Sequence, residues 1–137
     1  AGGLHGLLEG RLKKDIAMTF SSKFDRFVCA GDTITADVDG FTVTASIVHD
    51  ESTRPDDFDC YADHIVQAWR DDEWFYVGIC LQVSRAGVDL TGPYGAALWG
   101  LEANFPGSDN AYLSEIAEEL LGEASADARA AMTRLAA

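Results

Sequence analysis

Carboxylates are the residues of this chain best placed to do chemistry, and they crowd into its middle. Residues 31–73 hold twelve Asp and Glu side chains but only two bases, Arg54 and Arg70. Eight of these acids form two short clusters, namely Asp50, Glu51, Asp56, Asp57 and Asp59, followed by Asp71, Asp72 and Glu73. Such an array repels the phosphates of nucleic acids and attracts basic proteins, with faster association at low salt. We predict that these eight residues bind a basic partner and that the chain binds no nucleic acid directly.

The distribution of charge over the whole chain is compatible with this interpretation. The formal net charge is −13, with five bases and three acids in residues 1–30 and five bases and twenty acids in residues 31–137. Acidic surfaces also serve simply to keep proteins soluble. Composition alone therefore leaves both interpretations open.

A metal site has one weak candidate. Cys60 and His64 lie four residues apart on a predicted helix, so they could share a face and ligate zinc if two further ligands joined them. The other candidates, Cys29, His49 and Cys80, are scattered and lack the Cys-x-x-Cys spacing of zinc sites. The acidic loop lacks the glycine and the terminal glutamate of an EF-hand calcium loop. We predict no metal site and no cofactor.

Nucleophilic catalysis has no sequence signature here. No serine lies in a Gly-x-Ser-x-Gly elbow, and His5, His49 and His64 have no evident nucleophile beside them. The segment 92–95 lacks the Lys and Ser/Thr that end a phosphate-binding loop. We predict a protein that is not an enzyme and name no catalytic residue. A site assembled only in three dimensions stays possible.

Aromatic residues allow a second interpretation. Trp74, Tyr76 and Trp99 could line a pocket for a small molecule on one face of the predicted sheet, although core packing is the commoner role of such rings. Phe75 and Tyr76 are neighbours on a strand and must point to opposite faces. A small-molecule-binding module or an enzyme using an aromatic pocket is therefore the alternative function.

Length and composition place the chain among ordinary globular proteins. It has 137 residues, 47% hydrophobic and 24% charged, which fits one domain. The apolar run from Val77 to Val83 is far shorter than the roughly 18 residues of a membrane helix, and no signal segment opens the chain. We therefore expect a soluble cytoplasmic protein with no membrane association. Three cysteines suggest reduced thiols, with Cys80 in the core.

Hydrophobic periodicity predicts the first half of the fold. Residues 4–26 have the spacing of a helix, whose apolar stripe comprises Leu4, Leu7, Leu8, Leu12, Ile16, Phe20 and Phe24. Alternating residues 33–38 and 41–48 flank Asp39-Gly40, a pair typical of a tight hairpin turn. Asp59 is then a plausible N-cap for a helix that ends near Asp71.

The second half predicts further strands and a terminal helix. A strand over 74–85, a turn at 86–87 and a partner at 88–90 form a second hairpin, and 97–102 form a final strand. Residues 104–110 should be a surface turn. Ser108 or Asp109 should cap a C-terminal helix that Gly122 ends, with a further helical segment over 127–135.

Together these elements predict an α+β fold. We expect an antiparallel sheet of about five strands, formed by two hairpins and one strand, with N-terminal, central and C-terminal helices packed on it. Residues 31–137 would be a single domain, and residues 1–30 a helix that extends from it. A third possible function is a dimeric structural module, in which the basic helix 4–26 docks on the acidic domain of a second copy.

Several segments carry a resemblance to a known family. They are the hairpin Val38-Asp39-Gly40-Phe41-Thr42, the strands Asp72-Glu73-Trp74-Phe75-Tyr76-Val77-Gly78 and Leu98-Trp99-Gly100-Leu101-Glu102, and the turn from Asn104 to Leu113. Over residues 31–123 the chain resembles an uncharacterised family of small acidic proteins encoded by bacteriophages, plasmids and integrative elements of proteobacteria. The resemblance implies an accessory gene on mobile DNA, of a kind that often inhibits host defence. It implies no catalytic or ligand-binding residue.

Taken with the charge, this resemblance gives the functional hypothesis. The chain would be a non-enzymatic accessory protein that binds and inhibits a basic, nucleic-acid-handling host protein through a surface resembling DNA in charge. The aromatic pocket and the dimeric module are its alternatives.

Overall fold

A computed structural model describes residues 18–136 and shows the predicted α+β class, with a five-stranded antiparallel sheet and two α-helices. In chain order the elements are β1 (Thr33–Val38), β2 (Phe41–His49), a 3-10 turn (Pro55–Asp57), α1 (Asp63–Arg70), β3 (Phe75–Arg85), β4 (Val88–Asp89), β5 (Ala96–Ala103) and α2 (Ala111–Ala136).

Both predicted hairpins are present. In the first, Asp39 and Gly40 have φ angles of 52° and 83°, the left-handed values that a type I′ turn requires at both central positions. In the second, Ala86 and Gly87 join β3 to β4 with φ angles of 50° and 79°. The long strand β3 is the centre of the sheet, because it pairs with β2 on one side and with β4 and β5 on the other.

The main core lies between one face of the sheet and α2. Alternate residues of β2 and β3 point into it, and α2 covers them with a stripe of mostly small side chains. The buried members include Val43, Ala45, Ile47, Val77, Ile79, Leu81 and Val83 of the sheet and Leu113, Ala117, Leu121, Ala124 and Ala128 of the helix.

The predicted end of the C-terminal helix at Gly122 is wrong. Helix α2 runs without interruption from Ala111 to Ala136. Its buried stripe continues past Gly122 to Ala124, Ala128 and Ala131. A glycine inside a helix costs only about 1 kcal/mol relative to alanine, and the packing of these later residues outweighs that penalty.

The predicted N-terminal helix is also wrong for residues 18–26, which carry no helix; residues 4–17 of that prediction lie outside the described residues. Phe20, Phe24 and Val28 are instead buried in the core shared with the sheet. The segment places its backbone N–H groups on tertiary partners: Ser21 donates to the Thr35 carbonyl at 2.8 Å, and Phe24 donates to Ser114 Oγ at 2.9 Å. Contacts distant in sequence thus override the four-residue apolar spacing.

The central helix is shorter than predicted. It begins at Asp63, with Ala62 rather than Asp59 at the N-cap, so Cys60 and Tyr61 precede it. Its end is as predicted, with Asp71 at the C-cap. The start is delayed because the Tyr61 hydroxyl donates a hydrogen bond to Glu102 of β5, which holds the preceding chain against the sheet.

The turn between β5 and α2 is less superficial than predicted. Asn110 is fully buried, and its side-chain amide donates to the Arg26 carbonyl at 2.8 Å. Asn104 accepts from the N–H of Val28 at 2.9 Å. The helix begins at Ala111, so Asn110, and not the predicted Ser108 or Asp109, occupies the N-cap position; Asp109 Oδ1 accepts from the Ala111 N–H at 3.0 Å in the turn before it.

Candidate functional site

The acidic clusters lie on the segment that connects β2 to β3. Seven of the eight predicted binding residues are exposed: Glu51, Asp56, Asp57, Asp59, Asp71, Asp72 and Glu73. We call these seven residues the acidic surface. Part of the segment lies on the sheet face away from α2. The ring of Phe58 and the hydroxyl of Tyr61 contact Tyr76, which points opposite to the core residue Val77.

The eighth residue, Asp50, does not belong to this surface. Its side chain is only 6% exposed. The carboxylate accepts hydrogen bonds from the N–H and hydroxyl groups of Ser52 and Thr53, at 2.7–3.2 Å, and from the N–H of Gly100 at 3.0 Å. The prediction that Asp50 binds a partner is therefore wrong, because its oxygens already have partners inside the protein.

The pKa of Asp50 reflects these contacts. Burial by itself raises the pKa, but the hydrogen bonds from Thr53 and Ser52 outweigh that effect and lower it from 3.8 to about 2. Donors that point at a carboxylate stabilise its charged form. Asp50 is therefore a structural anion that fixes the start of the acidic loop.

Turn geometry holds the first part of the acidic surface. Asp57 Oδ2 accepts from the backbone N–H of Arg54 at 3.2 Å, and Asp56 lies 3.6 Å from the Arg54 guanidinium. That guanidinium also stacks on the ring of Trp69 in α1, 4.8 Å from its centroid. The 3-10 turn is thus tied to α1, and its carboxylates project from an ordered backbone.

The second part of the acidic surface forms the link between α1 and β3. Asp71 accepts from Gln67 Nε2 at 3.1 Å, and the N–H of Glu73 donates to the Ala68 carbonyl at 2.9 Å. Asp72 has a φ angle of 60°, which completes the tight exit from the helix. Local hydrogen bonds therefore fix this backbone too.

The aromatic rings beneath the loop are packed. Trp74 contacts Tyr61, Tyr76 and Phe105 at centroid distances of 5.5, 5.2 and 5.1 Å, and its Nε1 donates to the Ile65 carbonyl. Trp74 and Tyr76 are 0% and 1% exposed. For these two residues the structure confirms core packing, and neither offers surface to a ligand.

A chain of hydroxyl hydrogen bonds runs through this cluster. Tyr76 donates to the Tyr61 hydroxyl at 3.0 Å, Tyr61 donates to the Glu102 carboxylate, and Tyr112 donates to the Glu102 carbonyl. Burial raises the pKa of Tyr61, Tyr76 and Tyr112, and the hydrogen bond to Glu102 raises that of Tyr61 further. These phenols stay neutral near pH 7 and act as donors: that of Tyr61 holds the loop on β5, and that of Tyr112 holds α2 on the same strand.

Trp99 differs from the other predicted pocket residues because it is 43% exposed. It lies in a β-bulge, where Trp99 and Gly100 stand together opposite Gly78 of β3. Its ring lies against Gly78: a Cβ on that glycine would be 2.7 Å from Cδ2 of the ring. Tyr94, also exposed, is 5.9 Å away. The Trp99 ring is thus half exposed, and it packs against the backbone of Gly78.

The predicted zinc pair is not preformed. Cys60 precedes α1, so it and His64 do not occupy one helical face as expected, and both are exposed. Within residues 18–136 no three His, Cys, Asp or Glu side chains come close enough together to hold a metal ion. Cys80 is buried, which raises its pKa to about 11.

Comparison of the chain with protein-family models, curated proteins and solved structures found no match. Among the described residues, no helix combines the length and the apolar character needed to cross a membrane.

Two features of the site, the burial of Asp50 and the contact of Trp99 with Gly78, had a signal in the sequence that our reading of the charges and aromatic residues missed. Asp50 is followed by Ser52 and Thr53, which is typical of an Asx-type turn in which the carboxylate binds nearby backbone. Gly78 interrupts a buried strand, which often marks the close approach of another group. The contact of Tyr61 with Glu102 spans 41 residues and has no local signal.

Proposed function

We propose that this protein is a non-enzymatic accessory protein of a mobile genetic element that acts in the bacterial cytoplasm. It binds a basic, nucleic-acid-handling host protein and blocks the surface that this protein uses for DNA or RNA. The observation that supports the proposal is the acidic surface, whose seven carboxylates are exposed. The family resemblance of residues 31–123 supplies the genetic context.

The balance of charge on this segment favours a basic partner. Residues 50–73 carry nine acids and only Arg54 and Arg70 as bases. Arg54 is engaged with Trp69 and Asp56, so it neutralises little of the remaining surface. Like charges held close together repel each other, and a cationic partner relieves that repulsion on binding.

Order in the loop strengthens the proposal. The N–H of Arg54 donates to Asp57, and this bond fixes the backbone that carries Asp56 and Asp57. The backbone that carries Asp71 and Glu73 is fixed by hydrogen bonds at the end of α1. A preorganised array loses little conformational entropy on binding. Duplex DNA presents about one negative charge per 1.7 Å of its axis to such basic surfaces.

Affinity capture tests the proposal. The tagged full chain is incubated with bacterial lysate at low and at moderate salt, and the retained proteins are identified and then purified. We expect one stoichiometric partner that binds DNA or RNA, elutes as salt rises, and releases its nucleic acid when the acidic protein is added. A partner that binds both at once, or a partner whose binding ignores salt, would overturn the proposal.

A further inference from the structure

Strand β5 forms an open edge of the sheet. Among residues 18–136 it pairs with β3 alone, so no strand lies along its other side. The edge formed by β1 is different, because the N–H of Ser21 donates to the Thr35 carbonyl there at 2.8 Å. An unpaired strand edge is a template for the addition of another strand.

Regular alternation along β3 determines which backbone groups of β5 face it. The N–H of Asp50 donates to the Tyr76 carbonyl, so the backbone groups of Tyr76 point at β2. The pairing of β2 with β3 is unbroken from residue 77 to residue 84, so every second residue after Tyr76 also points at β2, and the residues between them point at β5. Ile79 therefore exchanges hydrogen bonds with its partner Leu98.

The residues on either side of Leu98 direct backbone groups away from the sheet. Ala97 stands opposite Cys80, whose backbone groups point at β2, so the N–H and C=O of Ala97 both point outward. The C=O of Leu98 points at β3, and a trans peptide directs the next N–H the opposite way, so the N–H of Trp99 points outward too. No hydrogen bond from elsewhere in residues 18–136 reaches these three groups.

Large apolar side chains lie on both faces of this stretch. Trp99, on the face away from α2, is 43% exposed, and Leu98, which stands opposite Ile79 on the other face, is 45% exposed. Residues 96–101 carry no charge and no proline, the residue types that commonly protect an edge strand, and the bulge at Gly100 ends the regular stretch. The edge before this bulge therefore suits an added strand, which bonds through its backbone and places alternate side chains on the two faces.

The acidic loop, residues 50–61, lies beside β5. Its start is joined to the strand by the hydrogen bond from the Gly100 N–H to Asp50, and its end by the bond from Tyr61 to Glu102. The exposed carboxylates between these two bonds are those of Glu51, Asp56, Asp57 and Asp59. A basic strand at this edge meets the opposite charge, whereas a second copy of the chain would add a second acidic loop to the interface.

We propose that the partner binds by adding an extended basic segment to β5, antiparallel to it. This inference rests on the proposed function, because it names the part of the basic host protein that binds. The segment exchanges backbone hydrogen bonds with Ala97 and Trp99. Its lysine and arginine side chains face the acidic loop and the ring of Trp99, and its alternate, apolar side chains cover Leu98.

A synthetic peptide tests strand addition on the wild-type chain. The probe is a capped ten-residue peptide that alternates lysine and valine. In antiparallel pairing the residues opposite Ala97 and Trp99 share their face, so the lysines carry the N–H groups that bond to β5. We expect N-methylation of the lysine amides to weaken binding at least tenfold, and N-methylation of the valine amides to change it little. A peptide with glutamate in place of lysine should also bind at least tenfold more weakly.

Hydrogen exchange locates the bound peptide on the protein. The amides of Ala97 and Trp99 should exchange at least tenfold more slowly in its presence, while the amides of β1 are unchanged. Equal affinity of the two methylated peptides, or unchanged exchange at residues 97 and 99, would overturn the proposal. Protection of these amides without peptide that disappears on dilution, together with a dimer mass in light scattering, would also overturn it and assign the edge to a second copy.

A proline at residue 97 tests the same edge with the captured host protein. Ala97→Pro removes an N–H that faces away from β3, a position at which strands tolerate proline, and Ala97→Val is the control that keeps this N–H. We expect the proline variant alone to lose at least tenfold in affinity for the host protein, with protection of the β3 amides retained. Undiminished binding to Ala97→Pro would overturn strand addition and leave the proposed function standing. If no basic host protein is captured, the proposed function fails, and the peptides decide on strand addition by themselves.

Discussion

The carboxylate of Asp50 accepts a hydrogen bond from the backbone N–H of Gly100, 50 residues further along the chain, at 3.0 Å. This bond joins the end of β2 to the bulge of β5 that carries Trp99. The same carboxylate also orders Ser52 and Thr53 at the start of the acidic loop. One buried anion therefore positions both the exposed ring of Trp99 and the first turn of the acidic segment.

Replacing Asp50 by asparagine should destabilise the protein. The amide nitrogen cannot accept hydrogen bonds, so some of the donors of Ser52, Thr53 and Gly100 lose their partner. We expect the free energy of unfolding to fall by about 2–3 kcal/mol, as for buried donors that lose a charged acceptor. Urea unfolding followed by tryptophan fluorescence measures it. Glu51→Gln, next to it and exposed, is the control and should change stability by less than about 0.5 kcal/mol. Equal effects of the two variants would contradict the structural role of Asp50.

Asp50 should also make the protein sensitive to acid. Its pKa is lowered from 3.8 to about 2 in the folded state, so it stabilises the fold when the pH is above about 4. This contribution is lost as the pH falls from about 4 towards 2, because the unfolded state then binds the proton more readily. Unfolding midpoints measured between pH 2 and 6 should fall more steeply for the wild type than for Asp50→Asn. Parallel curves for the two proteins would rule out this source of acid sensitivity.

The contact between Gly78 and Trp99 should be intolerant of a methyl group. A Cβ at residue 78 would lie 2.7 Å from Cδ2 and 2.8 Å from Cζ3 of the ring, so Gly78→Ala must displace the ring. We expect a loss of about 1–3 kcal/mol, typical of overpacking. In a Trp99→Ala background the same substitution should cost much less. These variants form a double-mutant cycle that measures the coupling energy between residues 78 and 99. A coupling energy near zero would show that the ring of Trp99 is not what excludes a methyl group at residue 78.

Tyr61, Tyr76 and Tyr112 should make the fold sensitive to alkali. Burial raises the pKa of Tyr61, Tyr76 and Tyr112 above 10, so their neutral forms stabilise the folded state below about pH 10. That stability is lost as the pH rises above 10, where the unfolded chain releases the phenolic protons more easily. Tyr61→Phe should lower stability at pH 7 by about 1–2 kcal/mol and flatten the decline above pH 10. The absorbance of the phenolate and the circular dichroism of the backbone are both followed against pH. Most of the phenolate should form only at the pH at which the protein unfolds. Early ionisation of all tyrosines in the folded protein would be inconsistent with this account.

Neutralising part of the acidic surface should weaken partner binding without unfolding the protein. Asp56→Asn, Asp57→Asn and Asp59→Asn together remove three exposed charges. We expect the affinity for the captured host protein to fall at least tenfold and its dependence on salt to decrease. The control removes three exposed acids elsewhere, by Asp25→Asn, Glu123→Gln and Asp127→Asn. Similar losses in both variants would mean that binding depends only on net charge.

Much of the fold follows from local patterns in the sequence. Strict alternation defines β1 and β2, and Asp39-Gly40 defines the turn between them, because each depends on only a few adjacent residues. The length of β3 follows equally from its apolar run. By contrast, the four-residue spacing of Phe20 and Phe24 resembles that of a helix, yet the chain there is irregular, because its N–H groups bind β1 and α2.

In the candidate site, too, some features follow from the local sequence and others depend on contacts between distant segments. The acidity of residues 50–73 is visible in the sequence, and seven of the eight predicted carboxylates are exposed because unpaired charges avoid burial. The burial of Asp50 depends on the fold, since its partner Gly100 comes from a strand distant in the chain. The fold likewise packs Trp74 and leaves Trp99 open to solvent. Charge and alternation are local properties, whereas the partners that cover a ring or satisfy a carboxylate are selected by how distant strands pair.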